Sequence, residues 1–383
     1  MPLLVINAGS TTTKFKLFNE EDLLELISGV VDCVNGKNIC TIYKEGNKYR
    51  WDISEFDYKN PGNLIIKELK SFDISKLGFR IVHGGETFSK TTFLDDASIH
   101  KIEELSNIAP LHNPPAIKRI QEFKKLLPDK KFYGVFDTSF HTQMPPKAFL
   151  YGLPYEYYQF YNVRRYGFHG ISHKYVNTIL QGLEVGAKKV ISCHLGGGAS
   201  ICAINDGKSI DTTMGFTPLE GLVMATRAGD VDDGAINYIQ KLTKYSDYEM
   251  EEIENKKSGL LGISGVTSDM RTLLEMEKDD NERAHLAIEM YIYRIQKYIG
   301  AYVAALNGVD AIIITAGVGC GSDVIRRRII SGLNCFGLEI DDGINNNQIN
   351  VDVNLKISTK SSKPIWIIPT NEELQIAKEI LNI

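Results

Sequence analysis

Residues 4–18, LVINAGSTTTKFKLF, run an apolar segment into a Gly-Ser-Thr turn and out into an alternating segment. Val5 and Ile6 are branched and apolar, which reads as a buried strand. Past the turn, Phe15 and Leu17 alternate with lysines, which reads as a second strand with one wet face. NEED (19–22) turns the chain again. Residues 189–208, KVISCHLGGGASICAINDGK, repeat the order: apolar strand, glycine-rich turn, small hydroxyl, alternating strand, Asn-Asp-Gly turn. Identity between the two is low, but the order of features matches. Two such hairpins predict a duplicated fold with one hairpin in each half.

Outward from these hairpins, strands and helices mix throughout. A strand is expected at 79–82 and another at 131–137, KFYGVFD. Between them NPPAIKRIQEFKKLL (113–127) opens on prolines and then spaces Ile117, Ile120, Phe123, Leu126 and Leu127 on a helical period. Residues 282–306 predict a long amphipathic helix. Residues 310–329 read as strand, glycine loop and helix, and the chain closes with strand IWIIPT (365–370) and helix EELQIAKEIL (372–381). The fold class expected is α/β. A length of 383 residues predicts two domains, and with no low-complexity linker the crossing is placed just after Asp137.

Composition narrows the function. There are 43 basic and 48 acidic residues, a net charge of −5. That balance makes no electrostatic case for nucleic acid or an anionic membrane. No apolar run approaches the ~18 residues needed to span a bilayer. The first residues lack the basic flank and cleavage site of a secretory leader. The six cysteines form no CxxC pair and have no histidines at zinc spacing. Free thiols in a reducing cytoplasm are expected.

Three glycine-rich turns point to phosphate chemistry, because glycine lets backbone N–H groups approach an anion closely. They are Asn7–Lys14, His194–Ser200 (HLGGGAS) and Gly317–Gly321 (GVGCG). None is a Walker A loop. The third partly fits the dinucleotide fingerprint, with Glu339 about 20 residues on. Arg80 lies on the otherwise apolar strand in GFRIVHGGETF, and Arg227 follows the apolar run in GLVMATRAGD. Each has two readings: an internal salt bridge, or a clamp on a carboxylate or phosphate. His112 in APLHNPP and His169 in RRYGFHGISH sit beside Pro or Gly in loops. Asp137 ends a strand, where sites of α/β proteins gather. Glu372 in IPTNEEL reads as a helix N-terminal acid or a metal ligand.

Read in order, VINAGSTTTK, FRIVHGGETF, APLHNPP, VFDTSFH, RRYGFHGISH, CHLGGGAS, DTTMGFTPLEGLVMATRAGD, SGLLGISGV, DMR, ITAGVG and IPTNEEL resemble the acetate kinase family over essentially the whole chain. The family belongs to the sugar kinase, heat-shock ATPase and actin superfamily. The resemblance implies two duplicated ribonuclease-H-like (actin-like ATPase) domains around a cleft. They would be residues 1–138 with 374–383, and 139–373, the second binding nucleotide and supporting a homodimer.

The implied reaction is reversible transfer of the ATP γ-phosphoryl group to acetate, with propionate as the alternative acceptor and a non-catalytic nucleotide-binding protein as the alternative class. The family pattern implies Asp137, His169, Arg227, Arg80 and His112 as catalytic residues. It implies Arg80, Val82, Leu111, Phe168 and Pro218 around the acyl group. Nucleotide contacts would come from Ser10, Thr12, Lys14, His194, Leu195, Gly196, Gly197, Gly198, Asp269, Met270, Arg271, Gly317, Val318, Gly319, Cys320 and Gly321. Asn7 and Glu372 would serve Mg2+, or Mn2+ in its place. The chain departs from the family where HLGNG reads HLGGG, with Gly197, and where GIGEN reads GVGCG. Those changes leave ATP, GTP and pyrophosphate open as donors. Loss of either Arg80 or Arg227 is expected to collapse turnover while the fold survives.

Overall fold

The computed structural model describes residues 1–9, 12–34, 36–110, 112–346 and 353–382. The chain divides into two compact units, residues 1–139 with 371–383, and residues 140–370.

The first unit is built on strands β1 (Pro2–Ala8), β2 (Thr13–Asn19), β3 (Glu25–Val34), β4 (Lys37–Lys44), β5 (Asn47–Asp52), β6 (Lys76–Ile81), β7 (Thr92–Phe93) and β8 (Lys131–Phe136). They form one sheet in the order β5-β4-β3-β2-β1-β6-β8-β7. β1 to β5 are an antiparallel meander, whereas β6 pairs parallel to β1, and β8 parallel to β6. β1 has Leu3 to Ile6 fully buried, as a central strand covered on both faces requires. The helix Asn113–Leu126 covers one face, placing its prolines in the first turn, where no N–H is needed. Phe79 meets Phe123 of that helix edge-on at 5.9 Å and stacks on Phe132 of β8 at 5.8 Å.

The C-terminal helix Glu372–Leu381 lies on the other face. Gly78 makes this possible: a Cβ there would sit 2.3 Å from Ile380 Cδ1 and 3.0 Å from Ile376 Cγ2. Because β strands alternate faces, Arg80 shares the face of Gly78, and the pairing of Ile6 with Phe79 brings Asn7 alongside it.

The second unit has β9 (Lys189–Leu195), β10 (Ala199–Asn205), β11 (Lys208–Thr212), β12 (Ala311–Thr315), β13 (Leu355–Lys356) and β14 (Ile365–Ile367), in the order β11-β10-β9-β12-β14-β13. β9 and β10 are an antiparallel hairpin, and β12 and β14 add in parallel. The orders β3-β2-β1-β6-β8 and β11-β10-β9-β12-β14 are therefore the same, and the duplication read from the two hairpins is a property of the fold. The helix Gly170–Leu183 packs Val176 and Leu180 against Val190, Cys202 and Ile313. Helix Glu282–Leu306 runs over the expected residues.

Residues 317–321 are a correction. They lie in a short helix, Ala316–Gly321, and not in a loop. Gly319 packs too close to Ile314 for a side chain, a Cβ there falling 2.9 Å from Ile314 Cγ2. With an antiparallel hairpin in each sheet, the dinucleotide fingerprint has no all-parallel sheet to sit on.

Candidate active site

In the first unit, parallel pairing gathers the ends of β1, β6 and β8, which carry Asn7, Arg80 and, one residue past β8, Asp137. Arg80 donates from Nε and Nη2 to the same oxygen, Asp137 Oδ2, at 3.1 and 2.5 Å. Its Nη1 donates to Asn7 Oδ1 at 3.1 Å and lies 3.5 Å from Glu372 Oε2. Asn7 Nδ2 donates to Glu373 Oε1 at 2.8 Å and Glu372 Oε2 at 3.3 Å. Asp137 Oδ1 is buried and has no hydrogen-bond partner among the described residues. Burial pushes the Asp137 carboxyl up to about 6; Arg80 pulls it down, and Glu372 adds to the rise. Burial also works against the Arg80 charge, but Asp137 and Glu372 outweigh it and hold the guanidinium above its ordinary value.

Glu372 is an acid in the first turn of its helix, one of its two readings, and the N-cap itself is Asn371, which accepts from Leu374 N. Glu373, which the sequence reading passed over, is the more buried of the two at 8% exposure and makes the shorter bond to Asn7. The adjacent pair in IPTNEEL was the only signal for it. One guanidinium thus faces three carboxylates, an excess of negative charge beside an orphaned buried oxygen. That arrangement fits a hard divalent cation with oxygen ligands. Among the described residues no three His, Cys, Asp or Glu side chains form a metal cage. Mg2+ seldom has one, since it usually takes one or two carboxylates plus substrate phosphates.

Other predicted residues of this unit sit nearby in sequence but play different local parts. His112 is the N-cap of helix Asn113–Leu126. Val82 is half-buried just past β6, and Asn113 ties the two segments by exchanging hydrogen bonds with His83 N and O at 3.1 and 3.0 Å. Thr12 lines a cavity of about 470 Å³ with Gly9, Pro110 and Lys118. Lys14 is exposed and pairs with Asn7 across the hairpin. Ser10 and Leu111 lie outside the described residues.

In the second unit, His169 caps helix Gly170–Leu183 with a left-handed backbone, φ 56°. Few non-glycine residues adopt it, and such strain concentrates at functional sites. Gly198, in the turn between β9 and β10, measures how close the site residues lie. A Cβ there would be 3.4 Å from His169 Cε1 and Nε2 and 3.5 Å from Arg227 Nη1. His169 and Arg227 therefore border one small space. Arg227 donates from Nη1 to Pro218 O at 3.0 Å, and no carboxylate pairs with it among the described residues. Burial pushes its guanidinium pKa down. The two readings of the arginines are thus divided: Arg80 is salt-bridged, whereas Arg227 has no carboxylate partner among the described residues.

His194 stacks on His169 with ring centroids 4.2 Å apart, and its Nδ1 bonds Ser172 Oγ at 2.8 Å. Gly196 and Gly197 complete the turn, and Gly197 O accepts from Ala225 N at 3.1 Å. Asp269 caps helix Met270–Lys278 and is held down to about 2, chiefly by Arg271, whose own side chain is 88% exposed. Phe168, Leu195, Met270 and Cys320 have buried side chains. The carbonyls of Gly319 and Cys320 accept from Arg326 Nη1, while Gly317 and Gly321 face open space and Val318 is half-buried.

The acetokinase family profile matches residues 2–378. The chain is 43% identical over 401 residues to an acetate kinase of Halothermothrix orenii, covering 100% of this chain and 99% of the relative. It is 45% identical over 397 residues to one of Pseudothermotoga lettingae, covering 100% and 97%. Among solved structures, a propionate kinase from Francisella tularensis subsp. tularensis SCHU S4 matches with a TM-score of 0.92 at 38% identity, over 99% of this chain and 98% of that one. The acetate kinase of Porphyromonas gingivalis matches at 0.91 and 37%, over 100% and 99%. Similarity of this depth, in sequence and in fold, has one meaning: the chain belongs to the acetokinase family.

Proposed function

We propose that the chain transfers the γ-phosphoryl group of ATP to acetate, reversibly, giving ADP and acetyl phosphate. Family membership makes it a phosphotransferase with a carboxyl group as acceptor. The observation that carries the mechanism is Arg227: a cation with no carboxylate partner among the described residues, at the edge of the His169 ring. A phosphoryl group is the anion that such a pair of donors suits.

Acetate is already ionised at neutral pH, so its attacking oxygen needs no general base. Arg80 receives the acetate carboxylate. With Nε, one Nη1 hydrogen and one Nη2 hydrogen committed to Asp137 and Asn7, each Nη still has an N–H to offer. Asp137 holds that guanidinium in plane. Arg227 and His169 donate to the equatorial oxygens as charge spreads over the moving phosphoryl group in line with the acceptor. His112 supports the acceptor side. Val82, Leu111, Phe168 and Pro218 set acyl length. Ser10, Thr12, Lys14, His194, the backbone of Leu195 to Gly198, Asp269 to Arg271 and Gly317 to Gly321 contact the nucleotide. Asn7, Glu372, Glu373 and Asp137 Oδ1 would hold Mg2+ or Mn2+, which neutralises phosphate charge when bound with the nucleotide. The proposed working form is a cytoplasmic homodimer; no described helix is long and apolar enough to cross a membrane.

A second acceptor has specific support, since the Francisella structure at TM-score 0.92 is a propionate kinase. One methylene is worth only ~1–3 kcal/mol, so the two acids differ by preference. The deciding experiment is a hydroxamate assay for acyl phosphate with Mg2+, crossing acetate and propionate against ATP, GTP and pyrophosphate. The highest kcat/KM with acetate and ATP is expected. A higher value for propionate, or for another donor, replaces that part of the assignment. No acyl phosphate with any pair overturns it.

A further inference from the structure

Behind His169 the second unit buries a polar seam whose inner members, Ser192, Ser200 and His173, have no part in the reaction just described. On β9, Ser192 and His194 share the face of Val190, and on β10 Ser200 shares the face of Cys202. That face packs on helix Gly170–Leu183, which brings His173 against it. The result is a chain of hydrogen bonds running inward from His169. His169 Nδ1 is 2.9 Å from Ser200 Oγ; Ser200 Oγ is 2.8 Å from His173 Nε2; His173 Nδ1 is 2.9 Å from Ser192 Oγ. Ser192, Ser200 and His173 are all fully buried, so no water competes for these atoms.

A serine hydroxyl has a single proton. Set between two imidazole nitrogens, Ser200 can make both bonds only by donating to one and accepting from the other. The tautomers of His169 and His173 are therefore tied together. If Ser200 donates to His169 Nδ1, His173 Nε2–H donates to Ser200, and His169 carries its proton on Nε2. The reverse arrangement puts a proton on His169 Nδ1 and leaves a neutral His169 with a bare lone pair at Nε2. Nε2 is the edge that borders Gly198 and Arg227. A lone pair there would repel a phosphoryl oxygen, whereas an N–H would donate to it.

We infer that Ser200, backed by His173, is a positioning residue that sets the His169 tautomer with the proton on Nε2. The inference rests on the proposed role of His169 as a phosphoryl donor. Burial keeps His173 neutral, pushing its pKa well below the ordinary value, so it remains a one-proton partner. The groups that face His169 include the His194 ring, Ser200 and the Arg227 guanidinium.

The test combines tautomer spectroscopy with a kinetic cycle. Long-range 1H–15N spectra of the full-length protein with labelled histidine report which nitrogen is protonated, and H169N identifies the His169 signals. The wild type is expected to show His169 protonated at Nε2, and S200A a mixture. S200A should lower kcat about 10- to 100-fold with little change in KM for acetate or ATP, and S200T should recover part of it. S200A combined with H169N should be no slower than H169N alone, because Ser200 acts through His169. Proton on Nδ1 in the wild type, an unaltered tautomer or rate in S200A, or additive losses in the double variant would each overturn the inference. Because the wild-type spectrum is itself decisive, a misfolded S200A would not leave the question open. Full activity in H169N would instead remove the proposed role of His169.

Discussion

Arg80 donates through Nε and Nη2 to one oxygen of Asp137, and the other oxygen, Oδ1, is buried with no partner among the described residues. An ion pair that only stabilised the fold would be expected to use both carboxylate oxygens. The geometry keeps Arg80 oriented and leaves one carboxylate oxygen for the divalent cation proposed above.

The same relationship predicts a pH effect. The Asp137 carboxyl is pushed up to about 6 from an ordinary 3.8. If the ionised form is the working one, kcat/KM rises with pH and levels off above about 6. D137N should lose most activity, on the order of 10²-fold, and lose that acidic limb. Stability carries the opposite sign. A raised carboxyl binds its proton more tightly in the folded state, so its contribution is full below about 4 and fades as pH rises through 6. Thermal midpoints of wild type minus D137N, taken from pH 4 to 8, should therefore fall across that window. A flat difference would mean that Asp137 does not titrate there.

The two arginines should respond differently to removal. R80A strands buried Asp137 without its counterion, so a loss of about 3–5 kcal/mol of stability accompanies the loss of turnover. R227A strands no carboxylate among the described residues and should cost about 10³-fold or more in kcat with little change in thermal midpoint. Circular dichroism melts beside the acyl phosphate assay separate the cases. Equal melting temperatures would contradict the ion-pair contrast, and a stable, active R227A would remove its catalytic role.

Gly78 couples the packing of the C-terminal helix to the acidic cluster. G78V would press on Ile376 and Ile380 and lift the end that carries Glu372 and Glu373. Overpacking of this kind costs about 1–3 kcal/mol. The Mg2+ concentration for half-maximal activity should rise as well. Urea denaturation and a Mg2+ titration of activity measure the two effects; a destabilised variant with an unaltered Mg2+ response would uncouple them.

Cysteine labelling gives a quick check on the helix at 316–321. Cys33 and Cys335 are exposed, while Cys320 is buried and its thiol is pushed up to about 11. Iodoacetamide at neutral pH should modify Cys33 and Cys335 first, read by peptide mass spectrometry. Early modification of Cys320 would place its side chain outward, where the family pattern has Glu.

Much of this was legible in sequence. Alternation around Phe15 and Leu17, and the glycine turn between two apolar segments at 190–204, mark two hairpins, and their shared order of features marks the duplication; β10 itself is buried on both faces rather than alternating. Helical spacing of Ile117, Ile120 and Phe123, and the long period of 282–306, needs only local pattern. The glycine-rich 317–321 misled because glycine is a poor helix former; burial of Gly319 against Ile314 overrides propensity there.

The sequence by itself determined which residue types face which side of each hairpin, because side-chain direction along a strand has a period of two. It also determined the family, through ordered motifs along the whole chain. It did not determine partners. Arg80 and Arg227 carried the same two readings until pairing between distant strands put Asp137 beside one and, among the described residues, no carboxylate beside the other. Glu373 gained its bond to Asn7 only because Gly78 lets the last helix of the chain lie against the first strand. Charge pairing is set by distance in space, and the register of parallel strands far apart in sequence fixes that distance.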